Sequence, residues 1–364
     1  MNYVMLKDVC AIHMGQSPDS NSYNGNGDGI PFFQGNADFG ERYPITKKWC
    51  SAPTKMASPE DILISVRAPI GAINYAKENC CIGRGLAAIT PDKTKVSSEF
   101  IFWLLKGKNA ELNRKGTGST FKAIGRKILE EILVPDISLE KQLQYATVLE
   151  KVYGIIQARK LELQKLDVLI KARFVEMFGD PMTNPHNLPR VTLGSVLTIE
   201  PQNGLYKPQS DYVSDKTGVP ILRIDSFYDG KVVNFSSLKR LICSEIELKR
   251  YSLYENDIVI NRVNSIEYLG KCGLVQGLIE NTVFESNMMR LHVDEHKLHP
   301  VYITKLLCSQ FIYQQILKRA KKAVNQASIN QKDVQSLVVY MPPIEQQERF
   351  AAFVAQTDKS KVMH

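Results

Sequence analysis

Ile137-Ser138-Leu139-Glu140-Lys141-Gln142 and Pro342-Pro343-Ile344-Glu345-Gln346-Gln347 are two versions of one phrase. Each follows a short β-branched apolar run, Ile132-Leu133-Val134 in the first case and Leu337-Val338-Val339 in the second, and each opens a helical pattern. A strand-to-helix junction written twice raises the question of how much else is repeated. Outward from it, Leu6-Lys7-Asp8-Val9 recurs as Leu193-Gly194-Ser195-Val196, and Ile30-Pro31-Phe32-Phe33 as Val219-Pro220-Ile221-Leu222. Asp61-Ile62-Leu63-Ile64 recurs as Asp257-Ile258-Val259-Ile260, and Phe100 to Leu105 as Tyr302 to Leu307. The offset grows in steps from 187 to 205, so the second copy holds extra residues in loops while the elements keep their order.

Within each copy the patterning is mixed. The Asp61 and Asp257 segments read as strands, and Ser98 to Lys106 and His299 to Arg319 have helical spacing. The loop Gly116-Thr117-Gly118-Ser119-Thr120 corresponds to Asn325-Gln326-Ala327-Ser328. Between the copies, Leu139 to Phe178 contains no Pro and a single Gly, Gly154. Leu149, Val152, Ile156, Leu163, Leu166, Ile170 and Met177 step along it at alternating spacings near three and four, the mark of a narrow coiled-coil-like seam that needs a partner helix. At ~1.5 Å per residue this helix makes a rod of roughly 60 Å, with Ser138 set to cap its start and Gly179-Asp180-Pro181 to stop it. The expected fold is therefore α+β: two tandem α/β domains in pseudo-repeat, each followed by a long coiled-coil-like helix. Boundaries fall at residues 1–138, 139–180, 181–342 and 343–364.

Composition narrows the function. The 364 residues are 44% hydrophobic, and no run approaches the ~18 apolar residues of a membrane span, so disordered, fibrous and membrane classes are excluded and a cytoplasmic protein is expected. Cysteines 10, 50, 80, 81, 243, 272 and 308 contain no C-x-x-C and read as core residues. The net charge of +8 divides into +4 for each half, which describes two similar basic bodies and no basic tail. Catalytic signatures are missing: Gly270-Lys271 is followed by Cys272, so there is no phosphate-binding P-loop, and no H-E-x-x-H occurs. His292, His296 and His299 flank a loop ending at Pro300 and read as solvated. No metal site is expected.

Binding chemistry is better represented. Beside the strands of the first copy stand Gln34, Asn36, Lys47, Lys48, Trp49, Arg67, Arg84 and Lys122, and beside those of the second Arg223, Asp225, Asn261, Arg262, Asn264, Asn287 and Arg290. Arg pairs bidentately with guanine and Asn or Gln with adenine, so this mixture suits base edges in double-stranded DNA. Lys321 and Lys322, with Lys318 and Arg319 before them, suit sequence-independent phosphate contact, or equally a helix C-terminus whose dipole they complement.

The duplicated helix opening, with Asp61-Ile62-Leu63-Ile64-Ser65-Val66-Arg67-Ala68-Pro69-Ile70-Gly71 and Ile82-Gly83-Arg84-Gly85-Leu86-Ala87-Ala88-Ile89, resembles the specificity subunit of type I restriction–modification systems over essentially the whole chain. The resemblance implies two target recognition domains, each reading one half of a split DNA site. It implies helices packed antiparallel as spacer and docking surface for two methyltransferase (modification) subunits, which restriction subunits then join. It also implies no catalysis by this chain, with S-adenosylmethionine, ATP and Mg²⁺ belonging to its partners. The rod suits half-sites one turn of duplex, ~34 Å, apart. The second helix runs about half as far as the first, so a shortened gene, a second specificity polypeptide or a homodimer completing the helix pair is expected. The alternative is an interaction scaffold without DNA targeting of its own.

Overall fold

A computed structural model describes residues 2–118, 122–215, 217–232 and 235–362, so Ser119 and Thr120 of the expected loop, and His364, lie outside the described residues. The chain forms two compact units, Met1–Lys160 and Leu161–His364, and the division falls inside the central helix, Leu139–Phe178.

The two units repeat one topology. In the first, a four-stranded sheet runs Cys10–Met14, Leu86–Pro91, Ile62–Ser65, Ile73–Tyr75. In the second the same order appears as Gln202–Asn203, Met288–Leu291, Ile258–Asn261, Cys272–Leu274, continued by Gly230–Val232 and Phe227–Tyr228. The strands Ile62–Ser65 and Ile258–Asn261 are buried at every residue, as their unbroken apolar runs require of strands covered on both faces. A second sheet is also duplicated: Ile30–Phe33 pairs in parallel with Cys80–Ile82, and Val219–Leu222 in parallel with Val283–Phe284. Each unit has its own main core, one around Leu6, Ile62, Ile64, Ile101 and Leu105, the other around Ile258, Ile260, Tyr302, Ile303 and Phe350.

The repeated helix-opening phrase has a physical reason. Gln142 is 1% exposed; its Oε1 accepts from the Ser97 amide at 2.8 Å, and its Nε2 donates to the carbonyls of Lys95 and Ile137 at 3.2 and 2.9 Å. Gln347, 0% exposed, repeats the network: Oε1 accepts from the His299 amide at 2.8 Å, and Nε2 donates to the carbonyls of Lys297 and Pro342 at 3.0 and 2.7 Å. Each buried amide thereby ties its own helix to the N-terminus of the helix Ser98–Gly107 or Pro300–Leu307, satisfying backbone groups that burial would otherwise orphan.

Three expectations are corrected. The single helix expected from His299 to Arg319 is two, Pro300–Leu307 and Gln310–Arg319, because Ser309 caps the second by accepting from Ile312 N at 3.4 Å. The seam is also displaced: Leu149, Val152 and Ile156 are 44%, 47% and 45% exposed, Leu163, Leu166 and Met177 are half-buried, and Ile170 alone of the seven is buried. The buried positions are instead Gln142 and Ala146 in the first unit, where half-buried Tyr153 packs behind them, and Ile170, Phe174 and Phe178 in the second. Their steps of four residues place them on one face of the helix within each unit, the face that packs on that unit's own core. The helix Ile344–Val362 does run antiparallel to the end of the central helix: Phe350 meets Phe174 and Phe178 edge-on at 5.5 and 5.6 Å, and Lys361 Nζ reaches Asp167 at 2.5 Å. Finally, His292 and His299 are half-buried and bonded within the chain, since His292 Nδ1 lies 2.8 Å from buried Asp257 and His299 Nδ1 accepts from Val301 N at 3.2 Å, while His296 is exposed as expected.

Candidate nucleic-acid interface

In the first unit the ends of three segments converge. Val66 N donates to Gly85 O at 2.9 Å and Gly83 N to Phe33 O at 2.8 Å, which brings residues 34–38, 65–69 and 84–85 around one open cleft of about 440 Å³. Gly85 is required there, because a Cβ would stand 2.3 Å from Gln34 O. Asp38 shapes one wall by accepting from the amides of Gln34 and Gly35 at 2.7 and 3.2 Å. Four of the expected residues, Gln34, Asn36, Arg67 and Arg84, line this cleft. Among the described residues none of their side-chain polar groups has an intrachain hydrogen-bond or ion-pair partner, so amide and guanidinium ends are presented together, free to pair with something else.

Neighbouring positions are less uniform. Lys47 lies at the rim, its Nζ 3.4 Å from Ala37 O. Lys122 is exposed on the segment that pairs beside Arg67, where its carbonyl accepts from Ala68 N at 3.1 Å. Lys48 is set apart, its ammonium 5.5 Å from the Tyr23 ring centroid, and half-buried Trp49 is part of the sheet.

The edge beside Arg67 has a counterpart in the second unit. Arg67 pairs with Ala123, which pairs with Thr117, and Ile124 N donates to Val66 O at 2.9 Å. Likewise Val263 pairs with Ser328, which pairs with Lys321, and Ile329 N donates to Arg262 O at 2.9 Å. This three-stranded edge, Val263–Asn264, Ala327–Ser328 and Lys321–Lys322, gathers Arg262, Asn264, Lys321 and Lys322. Lys321 and Lys322 thus belong to a strand pair, not to the helix end; Arg319 covers that end, donating from Nη1 to Gln315 O at 2.9 Å. Both lysines are exposed.

Of the other second-unit residues, Asn261 and Arg290 are framework, which corrects their assignment as base readers, while Arg223, Arg262, Asn264, Asp225 and Asn287 make contacts within the chain but stay partly or fully exposed. Asn261 is 0% exposed with its amide on Tyr268 O at 3.3 Å. Arg290 spans Ser252 O and Gln202 Oε1, both at 2.6 Å, beside Asp257, whose carboxyl burial pushes up. Arg223 is half-buried between the Tyr212 hydroxyl and Glu285. Arg262 donates to Ser286 O at 3.0 Å, Asn264 accepts from Ser265 N at 2.8 Å, Asn287 serves through its backbone carbonyl, and exposed Asp225 accepts from Ser226. Lys271 was not foreseen: its ammonium sits 3.6 Å from the Tyr228 ring centroid and 5.6 Å from that of Tyr268, an arrangement that a lone Gly-Lys pair in sequence does not announce. Among the described residues no group of His, Cys, Asp and Glu could hold a metal ion, and no helix is long and apolar enough to cross a membrane.

Two copies of one α/β module, each presenting a polar strand edge and each clamped to a helix by a buried glutamine, define a duplicated recognition protein. The chain belongs to the type I restriction modification DNA specificity domain family, which it matches over residues 1–166 and again over 185–363. It is 44% identical over 156 residues to the putative type I restriction enzyme MjaX specificity subunit of Methanocaldococcus jannaschii, a match covering 43% of this chain and 37% of that relative. It is 26% identical over 322 residues to the type I restriction enzyme EcoKI specificity subunit of Escherichia coli, covering 82% of this chain and 68% of the relative. The crystal structure of a type I restriction–modification system S subunit from M. genitalium shares its fold with a TM-score of 0.59 at 13% identity, over 99% of this chain and 90% of that one.

Proposed function

We propose that this chain is the sequence-reading subunit of a type I restriction–modification complex. Residues 1–138 and 181–342 are its reading domains, each for one block of a bipartite double-stranded DNA target. The helices 139–180 and 343–364 receive the modification subunits, and restriction subunits join through them. The chain performs no chemistry itself; S-adenosylmethionine, ATP and Mg²⁺ act in its partners, in the cytoplasm. The observation that carries this reading is the set Gln34, Asn36, Arg67 and Arg84 in one cleft, whose amide and guanidinium ends have no partner among the described residues and are the groups that discriminate base edges. Exposed Lys321 and Lys322 supply phosphate contact on the equivalent edge of the other unit.

The test is co-expression with the neighbouring methyltransferase, followed by methylome sequencing. A motif of two short blocks around a nonspecific spacer is expected, and an unchanged methylome rejects the reading. Arg67→Ala or Arg84→Ala should alter one block only; loss at both blocks would assign these residues to backbone contact. A second reading, a scaffold that binds only protein, draws on the exposed apolar positions Leu149, Val152 and Ile156. Fluorescence anisotropy on duplex DNA across a salt series separates the two, since only the DNA reader loses affinity steeply with salt.

A further inference from the structure

Cys308 departs from the expectation that the cysteines are core residues. It is exposed, whereas Cys10, Cys50, Cys80, Cys81 and Cys272 are buried and Cys243 is half-buried. It follows the helix Pro300–Leu307, and its Sγ lies 3.3 Å from the Sγ of Cys272, which sits fully buried on the strand Cys272–Leu274. Cavities of about 310 and 500 Å³ both reach Cys308, and the larger also borders Cys272, whose side chain is nonetheless fully buried while Cys308 is exposed. The backbone of Gly230 packs on this corner: a Cβ there would stand 3.3 Å from Cys308 Sγ and 3.7 Å from Lys305 Nζ, so thiol and ammonium flank the same glycine. Lys305 is held by Asp229 O at 3.0 Å.

We propose that Cys272 and Cys308 form a redox-active thiol pair in which Cys308 is the nucleophile and Cys272 the resolving thiol, oxidised by a hydroperoxide. The Cys308 thiolate attacks the distal peroxide oxygen; the O–O bond breaks, the alcohol leaves with a proton, and Cys308 becomes a sulfenic acid. The Cys272 sulfur then displaces that hydroxyl, and with the Cys272 proton it departs as water. Two thiols and one hydroperoxide give one disulfide, one alcohol and one water. The sulfurs need close by only ~1.3 Å to reach the ~2.05 Å of a disulfide. The roles follow from position. The contact with Cys272 and the nearby Lys305 ammonium both favour the Cys308 thiolate, whereas that same contact and burial keep the Cys272 thiol protonated against the opposing pull of Lys305.

The test uses the full chain, treated with hydrogen peroxide near neutral pH, alkylated and digested with trypsin. The expected product is a mass loss of about 2 Da and a cross-linked pair of peptides, 272–290 joined to 306–318. A dithiol reductant should reverse it. Cys272→Ala should leave a sulfenic acid on Cys308, trapped by a carbon nucleophile, and Cys308→Ala should leave Cys272 unoxidised. Cys243, half-buried and raised by burial, is the internal control and should react more slowly. Wild-type protein in which Cys308 proceeds to sulfinic acid without the cross-link, or in which Cys308 oxidises no faster than Cys243, overturns the proposal. Neither result depends on a variant folding.

Discussion

At the scale of single residues, the two buried glutamines make the clearest commitment. Gln142 and Gln347 each satisfy one amide and two carbonyls, so replacing either with Leu leaves buried backbone groups without partners, at ~1–3 kcal/mol for each group orphaned. Gln347→Leu should therefore lower the urea midpoint of the second unit and leave the first unaffected, with Gln142→Leu the converse, as read by hydrogen exchange in each. His299 adds a pH dependence. Burial holds its imidazole below the usual range against the opposing pull of Glu295 and Glu348, and the neutral ring caps its helix by accepting from Val301 N. Below about pH 6.5 the unfolded chain gains a proton that the folded ring refuses, so stability is lost as pH falls from that value toward the lower folded one. His299→Ser retains a capping oxygen, and the drop in midpoint between about pH 7.5 and pH 5.5 should shrink in the variant. The glutamines were legible in sequence as a repeated phrase, but their role was not, because the amides they accept from lie 45 and 48 residues away. Asn261 and Arg290 show the opposite failure. They stand on strands where a reader of DNA should be, yet those strands, Ile258–Asn261 and Met288–Leu291, lie inside a six-stranded sheet, where the Asn261 amide is buried on Tyr268 O and the Arg290 guanidinium is held by Ser252 O and Gln202.

At the scale of elements, the central helix separates what patterning can and cannot convey. Its existence and both ends were readable from the missing Pro and the flanking Ser138 and Gly179. Its buried face was not, since leucine and isoleucine occur on more than one side and the expected seam is exposed in its first three positions and buried or half-buried in its last four. The aromatic contacts decide the matter in the second unit: Phe174 stacks on Tyr302 at 5.6 Å and meets Phe178 and Phe350 at 5.1 and 5.5 Å. Phe174→Ala should therefore cost ~3–5 kcal/mol, read as a lowered denaturation midpoint of the second unit. The triple variant Leu149→Gln, Val152→Gln, Ile156→Gln should shift stability by no more than ~0.5 kcal/mol per site while weakening pull-down of a methyltransferase partner. A triple variant as unstable as Phe174→Ala would show that these residues pack within the chain.

At the scale of the whole molecule, the two units have the same topology but different polar equipment on the equivalent edge. The first offers free amides and guanidiniums in a cleft. In the second, Arg262 and Asn264 each make a contact within the chain, and Lys321 and Lys322 stand exposed beside them. An ammonium is a point charge that carries little base information, whereas a free guanidinium fork can read guanine. The division predicts distinguishable mutants. Each of Lys321→Ala and Lys322→Ala should weaken binding uniformly across DNA sequences and reduce the slope of log affinity against log salt by ~1. Arg67→Ala should change base preference at one block, at ~1–3 kcal/mol for the base it contacts. Anisotropy titrations over a salt series, run on cognate duplex and on duplex scrambled in one block at a time, read both quantities at once. If the lysine variants altered base preference while leaving the salt slope intact, the second unit would read bases through this hairpin, and its phosphate contacts would have to lie elsewhere.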